Sequence, residues 1–163
     1  MRADAEAEKL KEKLNSRFKG RIPEFYQVYL QTPHMLEKFL AFRDAVMKEG
    51  ELSPVLKEKI AFLVSVLNNC EVCSTAHRKH LNELGCSALE IEAIERLEPG
   101  RLDAREAVAL KATFEALQNK RISESTLQEL RKKFKEREII EIVSVISLYM
   151  FLNTFNNALG LRY

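Results

Sequence analysis

Proline and glycine cut this chain into helix-length pieces. Only four prolines and five glycines occur in 163 residues, and they stand where helices would start or stop. Gly20 ends a charged stretch over 4–18, and Pro23 can open the next helix in its first turn, where a missing N–H costs nothing. Thr32-Pro33 repeats that signal ahead of Met35, Leu36, Phe39, Leu40 and Phe42, whose spacing predicts an inner face, and Gly50 is a C-cap candidate. Ser53-Pro54 supplies an N-cap followed by proline at the first helical position. Asn68-Asn69 reads as a break, Gly85 closes a helix begun at Cys70, and Pro99-Gly100 is the clearest loop. Segments 87–96, 104–117, 123–133 and 136–158 complete the set. Strand-like alternation is absent. The predicted fold is all-α with about eight helices, a charged N-terminal helix over 1–20 and a core domain over 21–163.

Two helices stand out by hydrophobicity. From Ile60 to Leu67 only Ser65 is polar, which predicts burial nearly all round. At 100° per residue, Glu58, Ala61 and Ser65 share its one small, polar face. The apolar run from Ile139 to Leu152 is interrupted by Glu141 and is short of the roughly 20 residues of a membrane span, so it reads as a buried helix. A net charge of +2, with no basic arm or aromatic-interleaved basic patch, argues against nucleic-acid or anionic-membrane partners. The first residues, Met1 to Leu14, alternate acids and bases without an apolar core, so no signal peptide is expected and the cytoplasm is the expected compartment. In that compartment cysteine pairs serve chemistry or metal binding more often than they serve as staples.

The chain has three cysteines, and two of them form Cys70-Glu71-Val72-Cys73, followed by Ser74-Thr75-Ala76-His77. Residues three and four apart share a helix face, so Cys70, Cys73 and His77 would lie along one stripe. A free thiol is only about 3% thiolate at neutral pH, and lowering its pKa to about 7 makes it half thiolate. If a helix restarts after Asn69, both cysteines sit in its first turn, where free N–H groups favour negative charge. His77 can take or return the thiol proton. A carboxylate that orients the imidazole completes the set. Glu58, twelve residues before Cys70, is the candidate, against the alternative of an exposed carboxylate near a helix start.

These residues carry a resemblance. The string Leu52-Ser53, Lys57-Glu58-Lys59-Ile60-Ala61, Asn69-Cys70-Glu71-Val72-Cys73 and His77 resembles the AhpD-like alkylhydroperoxidases of the carboxymuconolactone decarboxylase family. The closing Phe151-Leu152-Asn153-Thr154-Phe155-Asn156-Asn157-Ala158-Leu159-Gly160 is similar to the end of that family's peroxidase-related branch. The resemblance implies an AhpD-like helical domain forming homo-oligomers, trimers or hexamers, that reduces peroxides without a cofactor or metal. It implies Cys73 as the peroxidatic thiol, Cys70 as the resolving thiol and proton donor, and His77 with Glu58 as the proton relay. A lipoyl or thioredoxin-like dithiol would then reduce the Cys70–Cys73 disulfide. Two departures stand out. AhpD proper has a second histidine where this chain has Val72, and Thr154 replaces an arginine common in the tail.

Other readings remain open. A disulfide oxidoreductase, or a redox-sensing homo-oligomer without peroxidase turnover, would use the same pair. Zinc on Cys70, Cys73, His77 and His80 conflicts with the roughly 15 Å of rise between residues 70 and 80 on one helix. A site with three ligands, or one shared between subunits, survives that objection. Haem attachment fails because Ser74 stands where Cys-x-x-Cys-His needs histidine. His80 reads as structural or surface, His34 as a first-turn helix residue, and Cys86 as a single packed or partly exposed thiol.

Overall fold

The computed structural model describes residues 2–48 and 50–162. Among them run nine α-helices and one 3₁₀ turn: α1 (Arg2–Arg17), α2 (Glu24–Tyr29), α3 (Pro33–Lys48), α4 (Pro54–Leu67), α5 (Glu71–Glu83), α6 (Ala88–Glu95), the turn Pro99–Arg101, α7 (Ala104–Asn119), α8 (Glu124–Lys133) and α9 (Glu136–Leu159). The all-α prediction holds, and the short α2 brings the number above the expected eight. The punctuation works as the residue types dictate. Ser53 Oγ accepts from Leu56 N at 3.2 Å with Pro54 behind it, Ser87 Oγ accepts from Glu90 N, and Asp103 takes the amides of Arg105 and Glu106.

α4 is the hub, packed by α5, α7 and α9. Ten consecutive residues, Leu56 to Ser65, are buried on it, including three charges in a row. Lys57 Nζ reaches Val46 O at 2.8 Å on α3 and Glu141 Oε2 at 2.9 Å on α9. Glu58 faces α5, and Lys59 pairs with Glu90 of α6 and Glu106 of α7. Each of these three buried charges meets a charged or hydrogen-bonding side chain of a neighbouring helix.

α9 is long and apolar enough, by length and composition alone, to cross a membrane. It instead buries Ile142, Val145, Ile146, Leu148, Tyr149 and Leu152 in the protein core. On α3, Leu36 and Leu40 point inward as expected, but Met35 and Phe42 are 49% and 55% exposed. The inner face of α3 is narrower than its apolar content suggested, because α3 packs on its neighbours along one stripe only.

Gly50 joins α3 to α4 at φ +100°, and a Cβ there would fall 2.4 Å from the Glu141 carboxylate. That carboxylate cannot simply step aside: it accepts from Glu51 N at 2.8 Å and Leu52 N at 3.1 Å while pairing with Lys57. Gly50→Ala is therefore expected to cost about 1–3 kcal/mol in chemical denaturation, through backbone strain and the displaced carboxylate together. A change below a few tenths of a kcal/mol would show that the junction accommodates a side chain.

Candidate functional site

The chain turns between α4 and α5 at Asn69, which adopts left-handed φ +51°. Cys70 follows as the N-cap of α5, fully buried, and Cys73 sits one turn in, 8% exposed. Their sulfurs are 2.6 Å apart as free thiols. Asn156, from the end of α9, donates its Nδ2–H to Cys73 Sγ at 3.1 Å. One α4–α5 turn and the last turns of α9 thus enclose the thiol pair.

Charge favours one thiolate here. The hydrogen bond with Cys73 holds the Cys70 thiol down to about 7, against burial, with the Cys73 backbone amide and the Asn156 amide adding to the effect. The hydrogen bond to Cys70 and then burial push Cys73 in the opposite direction. The first proton leaves the pair near neutrality and the resulting thiolate holds the second in place. These directions place the first negative charge on Cys70, and a proton passed back across the 2.6 Å contact would transfer it to Cys73, the less completely buried of the two sulfurs.

Replacing Asn156 with leucine keeps the shape and removes the donor. The first ionisation of the pair should rise by about one pH unit, read by thiolate absorbance at 240 nm. An unmoved titration would show that the amide is only packed against the sulfur.

A second cluster joins α4 to α5, one turn beyond the thiols on α5. His77 is buried on α5 and approaches Glu58 Oε1 through Nδ1 at 2.5 Å. His80 Nδ1 lies 3.0 Å from the same oxygen. Burial works to raise the Glu58 pKa, but the hydrogen bonds of the two imidazoles outweigh it and lower the group to about 2. The carboxylate is therefore charged throughout the physiological range. An Nδ1–H bond to it fixes the His77 tautomer and leaves Nε2 as the basic nitrogen. The Tyr149 ring meets His77 edge-on at 4.5 Å and limits its rotation. Among the described residues, no direct hydrogen bond joins this carboxylate–imidazole cluster to the thiols.

Glu58, His77 and His80 offer three donor atoms within 4.8 Å of one another. Contacts of 2.5 and 3.0 Å to one carboxylate oxygen are hydrogen-bond lengths. A tetrahedral zinc with bonds of about 2.0–2.1 Å would hold its ligands roughly 3.3 Å apart. The geometry is that of a carboxylate shared by two imidazoles.

The structure thus puts Cys70 against Cys73 and Glu58 against His77. Glu58 is buried, so the alternative of an exposed carboxylate is set aside. His80 is exposed as a surface residue would be, at 51% of its side chain, and the tie of its Nδ1 to Glu58 is the part that sequence reading missed. Its signal was present, since His77 and His80 share a face. Asn156 was also missed as a thiol partner. The i, i+3 asparagines Asn153 and Asn156 at the end of an apolar helix were its signal, both now buried, with Asn153 Oδ1 accepting from Ser65 Oγ at 3.3 Å. Val72 is half-buried, and His34 is exposed in the first turn of α3. Cys86 is half-buried and apart from the pair, with burial raising its pKa.

Residues 33–115, which include Glu58, Cys70, Cys73, His77 and His80, match the carboxymuconolactone decarboxylase family. The chain belongs to that family. Comparison with curated proteins gives no match. Among solved structures, a peroxidase-related protein from Silicibacter sp. TM1040 is similar at 24% identity and a TM-score of 0.85, covering 95% of this chain and 84% of that one. A second peroxidase-related protein, from Ralstonia eutropha JMP134 and described as an alkylhydroperoxidase AhpD core, has 20% identity, a TM-score of 0.82 and coverages of 95% and 85%. The debrominase Bmp8, solved with 2,3,4-tribromopyrrole, has 18% identity, a TM-score of 0.83 and coverages of 97% and 87%. At these identities the structural likeness establishes the AhpD-like fold.

Proposed function

We propose that this protein is a thiol peroxidase that cycles between a dithiol and a Cys70–Cys73 disulfide. The observation that carries the reading is the meeting of two devices on one helix: a close thiol pair at the start of α5 and a buried Glu58–His77 pair one turn later. In the proposed cycle the Cys73 thiolate attacks the outer oxygen of a hydroperoxide. The O–O bond breaks, Cys73 becomes a sulfenic acid, and the departing alkoxide receives a proton from His77 or Cys70. Cys70 sulfur then attacks the sulfenic sulfur, water leaves, and the disulfide closes. A lipoyl or thioredoxin-like dithiol restores the pair by exchange. Glu58, held ionised, stabilises the imidazolium that forms on His77.

The test is stopped-flow oxidation of the reduced protein by tert-butyl hydroperoxide, followed by mass mapping of the cysteines. Fast formation of a Cys70–Cys73 disulfide with Cys86 still reduced is the expected result. Oxidation no faster than a free thiol at the same pH would move the reading to disulfide exchange with a protein partner. Because one structural relative is a debrominase, 2,3,4-tribromopyrrole belongs in the same panel. Bromide release without peroxide consumption would keep the dithiol chemistry and replace the substrate.

The reading includes a homo-oligomer. α9 exposes Ile140, Val143 and Phe151 along one face, and Phe151 lies against Phe39 beside the exposed Phe42 of α3. Apolar exposure of this extent is covered in most soluble proteins. Phe151→Glu is expected to shift the elution of the protein in light-scattering chromatography towards the monomer. An unchanged mass would place the contact elsewhere.

A further inference from the structure

We propose that His80 is a positioning residue that sets the basicity of His77 through the carboxylate they share. The inference rests on the peroxidase reading for its purpose, though not for its physics. Both Nδ1 atoms converge on Glu58 Oε1, at 2.5 Å from the buried ring and 3.0 Å from the exposed one. The two rings lie 6.3 Å apart, nearly perpendicular. One negative charge balances one imidazolium. Adding a second would leave a net positive charge on a cluster whose carboxylate and inner imidazole are both buried.

The two histidines therefore compete. His80 is half out of the protein, so a charge on it costs less desolvation than one on the buried ring. When it is charged, it neutralises Glu58 and His77 loses its stabilising partner. When it is neutral, it still bonds the carboxylate but leaves its charge unopposed, to support a proton arriving on His77. The hydrogen bond to Glu58 raises the His80 pKa above its ordinary value, against burial.

The neighbouring charges do not substitute for this coupling. Glu83, on the same helix, adds a negative field at His80, and Arg43 from α3 a positive one. Arg43 is itself engaged by Asp44 at 3.3 Å. Tyr149 of α9 and Tyr26 of α2 lie in the same field, burial pushing the Tyr149 phenol upward. Cys73 is the remaining group that changes charge, and it lies on the thiol side of the site. Of the two imidazoles on Glu58, His80 is the one with a side facing solvent.

The position also bears on Val72. A chain without a second imidazole between its cysteines has placed one a turn beyond His77, on the outer side of the same carboxylate.

The test is an NMR titration of the histidine side chains in the reduced protein, where only His34, His77 and His80 contribute. In the wild type, the His77 signals should respond to the titration of His80 as well as to their own. In H80Q, which keeps an N–H donor for Glu58 but cannot charge, the His80-linked step should vanish. His77 should then titrate about one unit higher. H80A, which removes the bond as well, separates hydrogen bonding from charge. A His77 titration that is a single step in the wild type and unmoved in H80Q overturns the proposal. No peroxide is present in this experiment, so a protein that shows the coupling but no hydroperoxide turnover would keep this inference and lose the peroxidase reading. Where turnover exists, the pH profile of kcat/KM in H80Q should lose its His80-linked step while retaining that of the thiols.

Discussion

Cys73→Ser is expected to reduce oxidation by hydroperoxide at least a thousandfold, to the level of an unactivated thiol. A serine hydroxyl does not ionise near neutrality and has no sulfur to oxidise, whereas the thiol it replaces belongs to a pair that releases its first proton at about pH 7. Asn156 would then donate to a neutral oxygen, and Cys70 would lose the partner that lowers its pKa. The partner variant, Cys70→Ser, should behave differently. One oxidation event would occur on Cys73, and the sulfenic acid would persist long enough for dimedone to trap it. A Cys73→Ser protein that still consumes hydroperoxide at the wild-type rate would place the reacting thiol elsewhere.

Glu58→Gln should be the next largest. It preserves the size of the side chain and removes the charge that supports a His77 imidazolium. Loss of one such preorganised charge should lower kcat/KM about a hundredfold. Stability offers a second reading of the same residue. The folded pKa of Glu58 is depressed to about 2, below its ordinary 4.5. Its contribution is therefore present above about pH 4.5 and is lost as pH falls from about 5 towards 2. That window is worth about 3 kcal/mol in the wild type. Urea denaturation across it should be flatter for Glu58→Gln by an amount of that order. Equal slopes would show that the carboxylate gains nothing from its two imidazoles on folding.

How much of this was legible from residues alone follows a physical line. Caps and breaks were readable because Ser53-Pro54, Asn69 and Gly85 act on the backbone beside them. Cys70, Cys73 and His77 were readable as one stripe because helical spacing is local too. Glu58 was readable only as a candidate, since its bond to His77 joins residues on two helices. The Asn156 bond to Cys73 spans 83 positions, and no local rule reaches that far. His80 was readable as a surface or structural residue, which its exposure bears out, but its bond to Glu58 again joins two helices and lay beyond any local rule. Met35 and Phe42 were placed inward because apolar spacing marks a face without saying how much of it a neighbour will cover.

The run Lys57-Glu58-Lys59 has a consequence for how the protein reaches its native state. Successive residues on a helix point about 100° apart, and these three find their partners on α3 and α9, on α5, and on α6 and α7. The three charges form a key with teeth on every side. Were α4 to settle into the core turned by a single residue, each tooth would meet apolar side chains or a like charge. A buried ion left unpaired costs several kcal/mol. The greasy remainder of α4 would tolerate many rotations, and the three ions admit one. The same constraint that selects the packing of the core also aims Glu58 at the imidazoles of α5, so a chain that folds correctly arrives with its proton acceptor already in register.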